Sequence, residues 1–174
     1  MDLPPLDRLV SSLFPGAPQE GGEAPTVYAV LDGARDRRIY RAVYDSQLDY
    51  ECLFSGDIPY DLAEAAPYLV QLSREADFTR WLLENGWGKG FGIFAWSRAG
   101  LETLRRHFRR LLQVKNEQGK TLYFRYYDPR VLRAYLPTCT SEELRAVFGP
   151  AGRLLVEGEE SQVLAFEPGR GRVG

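Results

Sequence analysis

Val27-Tyr28-Ala29-Val30-Leu31-Asp32-Gly33 is the stretch from which the fold is read. Residues 27–31 are all apolar or aromatic and favour extended backbone, and Asp32-Gly33 closes them with a turn signal. A strand that is apolar at every position, not every second one, is buried on both faces. Residues 50–54, 68–72 and 91–96 read as further short strands, the first closed by Ser55-Gly56-Asp57.

Helical patterns separate these runs. Ile39, Ala42 and Val43 give residues 36–45 one apolar side, and residues 59–66 form a short helix or turn. Phe78, Trp81, Leu82 and Leu83 make residues 75–84 a helix stopped by Asn85-Gly86. Ser97 reads as the N-cap of a helix reaching about Leu112. Strands alternating with helices predict an α/β fold: a mixed, largely parallel sheet flanked by helices, with antiparallel hairpins at its edge.

The hairpins come later. Residues 111–115 and 121–127 flank Asn116-Glu117-Gln118-Gly119, a four-residue loop. Alternation along the second arm sets Leu122, Phe124 and Tyr126 against Tyr123, Arg125 and Tyr127. Arg125 then lies mid-strand and needs a carboxylate, from Asp128 or a neighbouring strand. Breaking a buried pair of that kind costs about 3–5 kcal/mol, so Arg125→Ala is expected to harm folding more than recognition. Asp128-Pro129 starts a helix, with Asp as N-cap and Pro at its first position, and Pro137 ends it. Thr140 with Glu143 forms a capping box for a helix to Phe148. Residues 152–156 and 162–166 make a last hairpin, and the Gly-rich tail at 168–174 is expected to fray.

The organisation is therefore an amphipathic helix at 1–14, a flexible linker at 15–25, the α/β domain at 26–150, a hairpin at 151–167 and the tail. The first helix either folds back on the domain, the simpler reading, or docks on a partner. Composition narrows the function classes. The chain has 174 residues, 44% of them apolar, and a formal charge of only -2. A core is affordable by size, and a globally basic nucleic-acid binder is not indicated. No apolar run is long enough to span a bilayer. The first 14 residues lack a basic region before an apolar block, so a cytoplasmic location is expected. Cys52 and Cys139 cannot make a disulfide framework, and His107 is the sole histidine.

Several residue groups bear on chemistry. The glycines of residues 86–92 follow a helix and enter a strand, the reverse of a phosphate-binding loop. His107 cannot build a multi-histidine metal site. A Cys–His pairing with Cys52 or Cys139 is open in principle, but a structural histidine is the simpler reading. Arg98, Arg105, Arg106, Arg109 and Arg110 spread over a helix whose apolar stripe is Leu101, Leu104, Phe108 and Leu111. They form a solvated face, a dock for an acidic protein or, as the alternative function, a nucleic-acid or phosphate site over 98–112. No paired carboxylates stand at a catalytic spacing, and neither cofactor nor metal is expected.

The motif order goes further. Residues 27–34, 50–56, 66–70, 81–83 and 92–97 are followed by Leu104-Arg105-Arg106-His107-Phe108-Arg109-Arg110 and Phe124-Arg125-Tyr126-Tyr127-Asp128-Pro129-Arg130. Over about residues 26–150 this series resembles a widespread bacterial family long labelled a domain of unknown function, the VasW-like effector adaptors, or chaperones, of type VI secretion. The resemblance implies a non-catalytic protein that binds a cognate effector and promotes its loading onto the VgrG spike. It marks Arg105, Arg106, His107, Arg109, Arg125, Asp128 and Pro129 as family positions that bind the partner or define the fold. Many relatives continue into a longer helix-rich region. This sequence stops soon after one predicted hairpin, so a two-lobed effector clamp is not expected.

Overall fold

The computed structural model describes residues 4–16 and 22–173. Its elements are α1 (Leu6–Leu13), β1 (Thr26–Asp32), α2 (Arg38–Asp45), β2 (Tyr50–Cys52), α3 (Tyr60–Glu64) and β3 (Pro67–Gln71). Next come α4 (Asp77–Gly86), β4 (Gly92–Ser97), α5 (Leu101–Leu111), β5 (Gln113–Lys115) and β6 (Thr121–Tyr123). The chain continues through α6 (Pro129–Tyr135), a 3-10 turn (Leu136–Thr138), α7 (Ser141–Phe148), β7 (Ala151–Glu157), β8 (Val163–Glu167) and β9 (Gly171–Val173).

Among the described residues the main sheet has seven strands in the order β2-β3-β1-β4-β7-β8-β9. Every adjacent pair is antiparallel. The expectation of a largely parallel sheet is therefore wrong. The reason lies in which strands become neighbours. β1 and β2 run the same way and are joined through α2, but β3 lies between them in the opposite direction. Likewise β3 and β4 are joined through α4 and run the same way, with β1 interposed. The helical crossovers are real, yet each skips a position that an antiparallel strand fills.

Double-sided burial, by contrast, is as β1 foretells. Val27, Ala29 and Leu31 face a core shared with α1, α2 and α4. Tyr28 and Val30 face a second core built with α5, α6 and α7. Each fully buried Val or Leu contributes about 1.5–3 kcal/mol. The Tyr28 hydroxyl donates to Ala99 O at 3.0 Å, so its polar tip is satisfied. The first helix folds back on the domain: Leu9 and Leu13 are buried, and Trp96 Nε1 donates to Leu13 O at 2.7 Å. Residues 17–21 of the expected linker lie outside the described residues.

Local expectations divide in an instructive way. Asp128 does cap α6, accepting from Arg130 N at 2.9 Å, with Pro129 at the first helical position. Thr140 and Glu143 form both bonds of a capping box. Ser97 does not cap α5, which starts after Gly100 with no side-chain cap. Its hydroxyl instead accepts from Ala99 N and donates to Pro150 O. The tail does not fray over its whole length. Gly169 and Gly171 take positive φ, turning the chain so that β9 pairs with β8.

The strand expected over 121–127 ends at Tyr123. Alternation fails beyond it because Tyr126 and Tyr127 are both buried. Tyr126 stacks on Phe108 at 5.7 Å and donates its hydroxyl to Phe108 O at 2.8 Å. Arg125 is thus in a turn, not mid-strand, and its partner is Asp32 at the end of β1, 2.5 Å away. The pair is asymmetric: the Asp32 side chain is 2% exposed and that of Arg125 is 48% exposed.

That asymmetry sets the size of the effect of mutation. Arg125→Ala strips the main partner from a buried carboxylate that keeps only a 3.1 Å contact from Ala34 N. A loss of about 1–3 kcal/mol follows, below the cost of breaking a fully buried pair because water reaches the guanidinium. Urea unfolding of wild type and Arg125→Ala measures it, and an unchanged midpoint would refute it.

Candidate functional site

Helix α5 decides what the surface can do. Leu104 and Phe108 bury its apolar stripe, and its arginines then divide between two roles. Arg109 reaches back to the chain after β2. Its Nε donates to Leu53 O at 3.1 Å, and its Nη2 donates to Cys52 O at 3.1 Å and Phe54 O at 2.9 Å. Arg105 Nε lies 3.4 Å from Glu51 Oε2, a charge contact whose geometry falls outside hydrogen-bond limits, so that buried nitrogen has no hydrogen-bond partner. Arg106 and Arg110 are exposed.

One of the Arg109 contacts falls on the outer edge of the sheet. Gln71 N donates to Asp49 O and Leu53 N donates to Pro67 O, so the odd-numbered residues of this segment face β3. Tyr50 and Cys52 therefore face outward. The Cys52 carbonyl already accepts from Arg109.

Beside this helix runs an open groove of about 890 Å³. Leu53, Phe54, Ile58 and Leu62 come from the segment between β2 and α3 and from α3 itself. Leu112 and Tyr123 come from the bases of the β5–β6 hairpin, and Arg106, Arg109 and Arg110 from α5. Asp57 is the one carboxylate lining it. The Tyr123 ring meets Phe54 edge-on at 6.4 Å, and its hydroxyl lies 3.0 Å from that of Tyr127. The hairpin stands off the main sheet. It is paired only within itself, and it exposes Val114 and Leu122 opposite each other.

The family positions named from the sequence do not converge on this groove. Arg106 and Arg109 line it, and Arg105 flanks it at Glu51. Arg125, Asp128 and Pro129 hold the segment that carries Tyr123, through Asp32, the α6 cap and the α6 start. His107 lies on another side of α5. Its Nε2 is 2.8 Å from Val147 O, joining α5 to the end of α7. Burial pushes its pKa below the usual 6.5, against a smaller opposing effect of the Val147 contact. It is therefore a neutral, positioning side chain. The two thiols are also unactivated. Burial raises the pKa of both Cys52 and Cys139, the reverse of what a nucleophile needs. Among the described residues no cluster of His, Cys, Asp and Glu could hold a metal ion.

The glycine-rich loop after α4 does cradle a carboxyl group, but it is an internal one, Glu157, whose burial raises its pKa against the opposing pull of the loop N–H groups. Gly88 N donates to Glu157 Oε2 at 2.7 Å, and Trp87 Nε1 to Ser161 O at 2.6 Å. The loop thereby locks β7 to the end of α4.

Comparison with protein families is consistent with this frame. A model of the family described as "Domain of unknown function (DUF4123)" matches residues 27–146. The chain belongs to the DUF4123 family. The match runs from β1 to the middle of α7, so it takes in the groove and both arginine motifs. Comparison of this DUF4123 chain with curated proteins and with solved structures returned no match. No helix among its described residues is long and apolar enough to cross a membrane.

The groove itself was missed in the sequence. Its walls come from segments more than 40 residues apart, and the local hint was slight: apolar Ile58 and Leu62 beside the turn Ser55-Gly56-Asp57.

Two outcomes are expected here. Below pH 6.5 the unfolded chain takes up a proton that folded His107 resists, so stability falls as pH drops through that value. His107→Gln keeps a donor for Val147 O and should flatten the dependence of melting temperature between about pH 7.5 and 5.5. An identical pH profile in the variant would refute this. Gly149 ends α7 at φ +51, and a Cβ there would collide with the His107 ring. Gly149→Ala should cost more than about 1–3 kcal/mol, read from the chemical-denaturation midpoint.

Proposed function

We propose that this DUF4123 chain is a non-catalytic cytoplasmic adaptor, one that binds a cognate type VI secretion effector and promotes its loading onto the VgrG spike. The motif series over residues 26–150 supports the class of function. The single structural observation that carries it is the open groove beside α5, apolar on its floor and basic on one wall. Such a surface suits a protein segment, which offers apolar anchors and charged flanks together.

Strand addition at the sheet edge is the weaker mode. β2 is three residues long, and Arg109 already occupies the Cys52 carbonyl. Nucleic-acid binding is also less well supported. Of the arginines on α5, Arg105 and Arg109 are committed to β2 and the loop after it. The groove floor is apolar, whereas a backbone-binding surface would be a continuous basic stripe.

Co-expression tests the reading directly. The tagged chain is produced with the product of each adjacent gene and with the nearest VgrG protein, then run on size exclusion. A stoichiometric complex with one neighbour is the expected result. Failure of every neighbouring product and of VgrG to co-elute would overturn it.

A further inference from the structure

The groove beside α5 has a polarity that says what kind of segment fits it. Arg106 and Arg110 stand one helical turn apart on its α5 wall, both exposed. Neither has a hydrogen-bond or ion-pair partner among the described residues, although on the same helix Arg105 has an ion pair with Glu51 and Arg109 donates to backbone carbonyls. Asp57 also lines the groove, so its lining carries one described carboxylate beside Arg106, Arg109 and Arg110. Leu53, Ile58 and Leu62 supply an apolar floor, and the Tyr123 ring meets Phe54 edge-on beside them. A nucleic-acid strand would meet apolar side chains and a carboxylate there. The chain's own amphipathic helix, α1, is already seated on the other face of the sheet against α4.

We infer that this groove takes an acidic amphipathic helix of the bound partner, with its apolar face on the floor and two carboxylates at i and i+4 paired with Arg106 and Arg110. The inference rests on the adaptor reading and specifies the chemistry of the segment recognised. Carboxylates spaced one turn apart match arginines spaced one turn apart, and the apolar floor supplies the burial that exposed ion pairs alone do not.

The test uses the co-expressed complex of the full chain with its partner. A photo-crosslinking phenylalanine analogue replaces Gln113, which lines the groove, or Glu84, which lies on α4 in the other helical layer. Crosslinks from position 113 should map to a segment with Asp or Glu four residues apart beside Leu, Ile or Phe. The Arg106→Glu/Arg110→Glu double variant should bind at least about tenfold more weakly. The loss should be recovered by a partner in which the two carboxylates are replaced by Lys, a recovery that misfolding cannot imitate. Wild-type affinity should also fall as salt rises.

Unchanged affinity in the double variant would overturn the inference and leave the adaptor reading standing. So would crosslinks from position 84 alone, or from position 113 to a basic segment, to a second copy of the chain or to nucleic acid. If wild type forms no complex at all, both fall together.

Discussion

Everything in this fold depends on β1 being covered on both faces. A strand in that position can leave no backbone group unpaired, because water reaches neither side. It therefore needs a neighbour along each edge, and β3 and β4 supply them along nearly its whole length. The two helical layers follow from the same demand. α1, α2 and α4 cover the side that carries Val27, Ala29 and Leu31, and α5, α6 and α7 cover the side of Tyr28 and Val30. The groove is possible only because this interior is settled elsewhere. α5 spends Leu104 and Phe108 on the core and keeps its outer arginines for the surface.

The segment Phe124 to Arg130 connects that interior to the groove. Tyr126 and Tyr127 bury their rings, Asp32 holds Arg125, and Asp128 both caps α6 and pairs with Arg130. Together they fix the point from which the β5–β6 hairpin leaves the body. Tyr123, at the base of that hairpin, then meets Phe54 edge-on in the groove lining. The motif is thus a mounting for the groove lining more than a part of it. Arg109 does the same service on the opposite side by pinning the loop from Cys52 to Phe54.

What could be read in the sequence was mainly what local physics decides. An unbroken run of five apolar residues means a strand with two buried faces, whatever its neighbours. Asp128-Pro129 and Thr140 with Glu143 satisfy helix termini within one turn, so they too can be read without the rest of the chain. Strand direction could not be read this way. In β-α-β alternation the two joined strands run the same way, and nothing local tells whether a third strand will slip between them. The groove was hidden for a similar reason, since Leu62, Arg110 and Tyr123 meet only in space. At the tail, glycines whose composition suggested disorder serve as turn residues at positive φ.

Of the three backbone carbonyls held by Arg109, that of Cys52 lies on the outer edge of β2. An outer strand with free amide and carbonyl groups is a template on which another copy of the same chain can add. Exposed aromatic side chains raise that hazard, and Tyr44 and Tyr60 are both exposed. A single guanidinium at the end of β2 takes one of its outward acceptors, Cys52 O, out of that template without adding a residue to the strand. The residue that lines the groove beside α5 thereby also shortens the row of free acceptors on this edge.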